Sequence, residues 1–384
     1  MRELKIKLLF ISFFFIFYLF RLYSVRPLKI PDQAEIKVIG RVSRQPYLKA
    51  SNQIITVGPF LIKTNRFPLY FYGQKLAIVG KVTKRVINAF KTEFVFYYPA
   101  IRLVEENQTL INQTNLVSFL FRFENRLERL LSELLPEPQS SLLAGILLGS
   151  KKEMPQEFFY RLRETGTLHV VVASGYNITV IASFLINSLV KWVKRKKALI
   201  LAFLGIFLYT LMAGAEPPVV RAAIMGSLTY LAQLLGREKD AFVSLIFAAA
   251  LMLLISPLIL FDIGFQLSFA ATAGILLLSS RLKGKIFEIP WLGEDLRVTL
   301  AAQLATWPLI FFHFRRLSLI SPLVNALVLP TIPIIMALGA MMVGLGFWFK
   351  PLAQLVAWLA WVPLTYFVAV IKFFGGLPWA SYEF

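Results

Sequence analysis

The sequence predicts an α-helical polytopic membrane protein carrying an N-terminal, extracytoplasmic small β-barrel of OB-like type. Three observations lead there. Of 384 residues, 57% are hydrophobic and 16% charged, whereas soluble domains run nearer about 25% charged. Residues from about 30 to 108 break the apolar pattern with short, alternating, β-branched runs divided by turn residues. Beyond them come long apolar segments of the length that crosses a bilayer. The net charge is +20, from 41 Lys and Arg against 21 Asp and Glu. Part of that excess is topological, because cytoplasmic loops collect Lys and Arg. The rest can attract a polyanion or anionic lipid. There is no Cys, which excludes disulfides and Cys-bound metals.

In order along the chain, residues 1–29 read as a transmembrane anchor. Leu8 to Tyr23 is apolar, follows Arg2, Lys5 and Lys7, and is not followed by a small-residue cleavage site. An uncleaved first span with its N-terminus inside is expected. Residues 30–110 form the β domain, with strands expected over Ile36–Val42, Ile54–Val57, Phe60–Thr64, Leu76–Thr83 and Phe94–Val104. Val38–Val42 and Ile78–Val82 match at an offset of 40, each with a Gly inside the strand, as where a barrel strand bends. Between 29 and 110 there are 13 basic and 5 acidic residues. One reading is a basic solubilising domain. The other is a nucleic-acid platform, with Tyr47, Phe60, Tyr70 or Tyr72 as stacking rings and Arg41, Arg44, Lys49 and Lys81 as backbone contacts.

Residues 111–160 read as amphipathic or interfacial helices. Leu116–Leu135 alternates charge (Arg122, Glu124, Arg126, Glu128, Arg129) with Leu and Phe at helical spacing, a surface-lying pattern ended by Pro136 and Pro138. Leu142–Leu148 is too short to span and reads as interfacial or re-entrant. Residues 161–384 form the multi-pass domain, with spans near 168–190, 198–214, 217–235, 241–256, 258–280, 297–314, 320–347 and 352–375. Lys191–Lys197 holds five basic residues in seven positions and is assigned to the cytoplasm. Counting spans outward from it leaves the start of span 168–190 and the β domain outside. Arg315-Arg316 is the strongly charged loop that departs from this count.

Polar side chains inside apolar spans are costly unless they face a cavity, a partner or a pathway. The stretch from Gly166 to Ala182 opens a span yet carries His169, Ser174, Gly175 and Asn177, and Ser174-Gly175 invites a helix break. Asp262 and Gln266 share a face, with Ser268 on a neighbouring one; Asp262 reads either as a lining residue or as a helix cap. Gln303, Thr306 and His313 recur on a segment interrupted by Pro308, the composition of a broken, path-lining helix. Pro322, Pro330 and Pro333 with Asn325 predict a discontinuous next span. Arg221 either snorkels to the interface or contacts phosphate. Two histidines, with no GxSxG, HExxH or Walker pattern, give no support for an enzyme, and neither metal nor cofactor is expected.

Taken together, Thr167–Asn177, Asp262–Phe269, Gln303–Pro308 and Leu319–Asn325, with Arg221–Met225, resemble the signatures of ComEC-type DNA internalisation proteins. The resemblance spans about residues 30–375. It implies a multi-pass channel that carries single-stranded DNA across the cytoplasmic membrane in natural transformation. His169, Ser174, Gly175, Asp262, Gln266, Ser268, Gln303 and Asn325 are the positions it marks as shaping or lining the path. Many members have a second His where this chain has Asn177. Larger members add a metallo-β-lactamase-like domain, whose His/Asp clusters are not present here, so a separate nuclease is expected for the non-transported strand. A cytoplasmic helicase-like motor and an extracytoplasmic DNA receptor are the further partners implied, with membrane lipids around the bundle. Competing readings are a secondary transporter or flippase for an anionic small molecule or lipid, and a membrane hydrolase with His169 beside Ser174 or Asp262.

Overall fold

The computed structural model describes residues 17–24, 30–49, 52–88, 91–104, 116–150, 154–171, 174–238, 240–289 and 293–383. Of the expected first span, residues 1–16 lie outside this set; residues 17–24 are helical. Tyr18 there donates to the Pro257 carbonyl at 3.1 Å, fixing this turn against the bundle.

The β domain comprises β1 (Ala34–Arg41), β2 (Tyr47–Lys49), β3 (Asn52–Val57), β4 (Phe60–Asn65), β5 (Lys75–Asn88), β6 (Lys91–Tyr97) and β7 (Ala100–Leu103). The sheet order is β1-β5-β6-β4-β3-β2, with β7 also on β5 and a bridge from Val42 to Val57 returning the end of β1 to β3. β4 and β6 run parallel and the other pairs antiparallel, as in a small Greek-key barrel. The two matching segments pair with each other: Ile36 lies opposite Gly80, and Gly40 opposite Leu76. A Cβ on Gly40 would sit 2.6 Å from Val57 Cγ1, so glycine there permits the closure. Two strand expectations are corrected. Phe94–Val104 is split at Tyr98-Pro99, where Tyr98 has φ 51° and Pro99 cannot donate to a ladder. The three-residue β2 was too short to show alternation. Phe60 is also corrected: its ring sits 5.6 Å from Phe96 inside the barrel core, unavailable for stacking on a ligand.

The helical part starts with α1 (Leu116–Leu134), α2 (Gln139–Leu148), α3 (Gln156–Glu164), α4 (Leu168–Val171) and α5 (Gly175–Leu189). It continues with α6 (Arg195–Met212), α7 (Pro217–Leu234), α8 (Ala241–Ile255), α9 (Ile263–Leu278) and α10 (Gly293–Phe314). It closes with α11 (Ser321–Val328), α12 (Ile332–Gly346) and α13 (Lys350–Gly375). Two short ribbons, β8 (Arg316–Leu317) and β9 (Tyr382–Glu383), pair antiparallel. Among the described residues, four helical stretches are long and apolar enough to cross a membrane: Leu168–Leu189, Ile263–Arg281, Ser321–Gly346 and Lys350–Gly375. The burial pattern is that of a chain bathed in lipid. Phe203, Phe207, Phe247, Trp358 and Leu359 are exposed, whereas Asn177, Ser268, Ser321 and Asn325 are buried. In water that distribution would expose a large apolar area, which soluble monomers avoid.

Span breaks fall where the sequence placed them. The first lies between α4 and α5, with Ser174 as the cap of α5. The last divides α11 from α12 by a 3₁₀ turn over Leu329–Thr331, with Pro322 and Pro333 in first turns, where no intrahelical amide bond is lost. α10, by contrast, continues through Pro308. The segment expected as a span from 258 is also revised: a 3₁₀ turn over Pro257–Phe261 precedes α9. α2 is buried in the bundle. Leu142, Leu143, Ile146 and Leu148 lie within the main core beside Ile335, Ala357 and Phe367. Gly339 of α12 allows Leu143 to close in, since a Cβ there would stand 2.8 Å from Leu143 Cδ1.

Candidate functional site

A cleft of ≈ 1220 Å³ separates the β domain from α1 and the loop joining α6 to α7. Helical spacing on α1 sends Leu127 and Leu131 into the bundle core and leaves Arg122, Arg126 and Arg129 along the cleft. Arg44, Tyr47, Arg66 and residues 69–72 come from the opposite wall. The two walls are joined where Gln45 Nε2 donates to Asn125 Oδ1 at 3.2 Å and where Tyr72 meets Phe121 edge-on at 5.0 Å. Arg126 lies over the Phe347 ring at 5.1 Å, a cation–π contact that ties α1 to α12.

Three glutamates also border this cleft: Glu124, Glu128 and Glu216. Burial, and then the neighbouring Glu128, push the Glu124 carboxyl up to about 9, so it holds its proton at neutral pH. Glu124 is 4% exposed and one of its oxygens has no hydrogen-bond partner. Glu128 accepts from the Ser150 hydroxyl. Five arginines therefore share the cleft with Glu128 and Glu216, interleaved with tyrosine and phenylalanine rings. That is the chemistry of a site that grips phosphates and stacks bases.

Of the β-domain residues expected to touch nucleic acid, Arg44, Tyr47 and Tyr72 line this cleft. Arg41 instead donates to the Gly73 carbonyl at 3.1 Å, and Lys81 is solvent-exposed on β5 opposite Glu35. The Lys49 side chain is outside the described set. The sequence reading missed the α1 arginines as part of the site. Their 122, 126, 129 spacing marks one helix face but not which neighbour that face meets.

Inside the bundle the polar residues form four groups. Ser174 Oγ donates to Asn177 Oδ1 at 3.0 Å, and Asn177 Nδ2 donates to the Ile146 carbonyl at 2.9 Å, fastening α5 to α2. Arg221 of α7 donates through Nε to Ser268 Oγ of α9 at 2.7 Å, and through Nη1 to Thr272 Oγ1. Gln266 Nε2 donates to the Leu260 carbonyl at 2.9 Å, and His313 Nε2 donates to Gln266 Oε1 at 3.0 Å, linking α9 to α10. Gln303 and Asn325 both donate to the Ser321 hydroxyl, the latter at 3.0 Å.

Three of the expected residues have local partners. Asp262 is the N-cap of α9: Oδ1 accepts from Gly264 N at 2.9 Å and Phe265 N at 3.2 Å, so its cap reading is the one observed. Thr306 is buried and bonds back to the Ala302 carbonyl of its own helix at 3.0 Å. His169 Nδ1 donates to the Gly166 carbonyl at 3.0 Å and Ser174 Oγ turns to Asn177. The His169 side chain is exposed. Thr272 and Ser321 were overlooked in sequence, although Ser268 and Thr272 at i, i+4 share a helix face.

Comparison with known proteins places this architecture. A family model described as competence protein matches residues 146–384. ComE operon protein 3 of Bacillus subtilis (strain 168) is 30% identical over 202 residues, 52% of this chain and 25% of that protein. Competence protein ComA of Neisseria gonorrhoeae is 28% identical over 239 residues, 59% of this chain and 33% of that protein. An uncharacterised protein of Aquifex aeolicus (strain VF5) is 28% identical over 261 residues, 67% of this chain and 57% of that protein. In each case this chain covers less than two thirds of the relative's length. No solved structure matches. The matched residues include Ser174, Asn177, Arg221, Gln266, Ser268, Gln303, His313, Ser321 and Asn325, and the chain belongs to the competence protein family.

Proposed function

We propose that this protein takes part in DNA uptake by conducting single-stranded DNA across the cytoplasmic membrane during natural transformation. The observation that carries the proposal is the cleft, where five arginines and a set of aromatic rings open beside a bundle with a polar interior. A polyanion needs an electropositive entrance and a lining of neutral polar groups beyond it. The first is at the cleft, and the second is supplied by Ser174, Gln266, His313 and Ser268. On this reading the β domain stands outside the cytoplasmic membrane and the protein conducts rather than catalyses. A cytoplasmic helicase-like motor pulls the strand, an extracytoplasmic receptor delivers it, and a separate nuclease removes its complement.

The test is entry of labelled transforming DNA into cells deleted for the gene, complemented with wild type or Gln266→Leu. Deletion should leave DNA bound outside, and wild type should restore entry. Gln266→Leu removes the His313 contact and should cut entry by about tenfold, the weight of one buried hydrogen bond. A deletion strain that imports DNA as well as its parent, with no redundant homologue, overturns the proposal. It turns attention to a small anionic or lipid cargo.

A further inference from the structure

Arg221 is a cation placed among helices without a counter-ion. Its guanidinium is held by two neutral hydroxyls, Ser268 at 2.7 Å and Thr272, and by Met225 Sδ at 3.7 Å. Among the described residues no carboxylate lies within ion-pair distance of it. On the remaining side it meets Gly175, where a Cβ would stand 2.6 Å from Nη2. Gly175 is also the first residue of α5, so the positive end of that helix adds to the charge instead of cancelling it. Snorkelling does not describe this arrangement, because the head group is fixed between α5, α7 and α9. A charge inside a membrane bundle is expensive to keep, and a methionine or glutamine would pack the same space at lower cost.

Its position is equally informative. Residues 211–216, which line the basic cleft, run directly into α7, and Arg221 lies five residues beyond Glu216. One and a half turns of helix thus separate the entrance from the unpaired cation. Arg221 is half-buried, so part of the guanidinium remains reachable.

We infer that Arg221 is the anion-selecting contact of the path: the exposed part of its guanidinium, which packs against Gly175, engages the backbone phosphates of the passing strand. The inference rests on the DNA-conducting reading above and adds where, within the bundle, the strand's charge is recognised. Gly175 is then required because a Cβ there would strike the guanidinium and displace it. Ser268 and Thr272 hold the guanidinium by accepting from it while leaving its charge intact.

Two variants separate charge from packing. Arg221→Gln removes the cation. Thr272→Asp leaves Arg221 in place but supplies a carboxylate at a position that already touches it, neutralising the site with an ion pair that should hold the helices at least as well. Entry of labelled DNA is measured in the deletion strain complemented with each, alongside wild type and Arg221→Lys, with protein amount in the membrane fraction as control. Both neutralised variants should accumulate and lose DNA entry by about tenfold or more, the weight of a charged hydrogen bond, while Arg221→Lys keeps most of it. Normal entry with Thr272→Asp or Arg221→Gln overturns the inference and leaves the conducting role standing. Failure of both neutralised variants to accumulate makes Arg221 a packing residue and also overturns it. If wild type itself does not restore entry, the conducting role is what fails.

Discussion

The cleft and the bundle interior both carry arginine, and they treat it in opposite ways. In the cleft, Arg44, Arg66, Arg122, Arg126 and Arg129 share space with Glu128 and Glu216 and with open solvent. Water and salt screen such charges, so each contributes little alone and the set acts by its sum. In the bundle, Arg221 is single, held by hydroxyls, and met by a glycine. There the surrounding medium screens poorly and one charge decides. A surface can collect a polyanion from many weak contacts, while a membrane interior has room for few and must place them well.

The strongest way to break that contrast is steric. Gly175→Val puts side-chain atoms against the Arg221 guanidinium, so DNA entry should fall below about a tenth of wild type while stability drops by about 1–3 kcal/mol. Entry assays together with thermal unfolding of the purified protein check this. Unchanged entry would mean that the space beside Gly175 is not on the path.

A pH experiment sharpens the boundary between the two regions. Glu124 keeps its proton in the folded protein up to about 9, whereas an ordinary glutamate releases it near 4.5. Between those values the unfolded chain binds fewer protons than the folded one, so this group's contribution to stability falls as pH rises. The slope cannot exceed about 1.4 kcal/mol per pH unit. Glu124→Gln should flatten this part of the profile between pH 5 and 8 and raise the melting temperature at the upper end. Identical profiles for both proteins would place an ionised carboxylate at the cleft.

The smallest effect belongs to the cleft arginines. Arg44→Ala with Arg122→Ala should weaken single-strand binding by several-fold. It should also lower the salt-dependence slope by about 0.7 for each phosphate contact removed. Fluorescence anisotropy with single strands of different sequence, over a salt series, reads both. Sequence-dependent losses would point to base readout at these positions instead of backbone contact.

Much of this was legible in the sequence because it is local. The alternation of Ile36–Val42, the prolines around Asn325 and the Ser174-Gly175 break each declare themselves within a few residues. Asp262 was readable as a cap or a lining residue, and only the amides of Gly264 and Phe265 decide between them. What stayed hidden depends on partners distant in sequence. Arg122 and Arg126 become part of a binding surface only because the β domain lies opposite them, 50 to 80 residues earlier in the chain. Arg221 could be noticed, but its lack of a carboxylate partner is a property of three packed helices. Phe60 misled for the converse reason: an aromatic residue beside a turn looks available until the barrel closes over it.

The seam between β domain and bundle has a mechanical meaning. The Gln45–Asn125 hydrogen bond and the Tyr72–Phe121 ring edge bridge it at the cleft. Contacts of these kinds are worth about 1 kcal/mol each, close to the energy of thermal agitation. At these two points the walls of the cleft are therefore held together by a weak latch, one that little work would release.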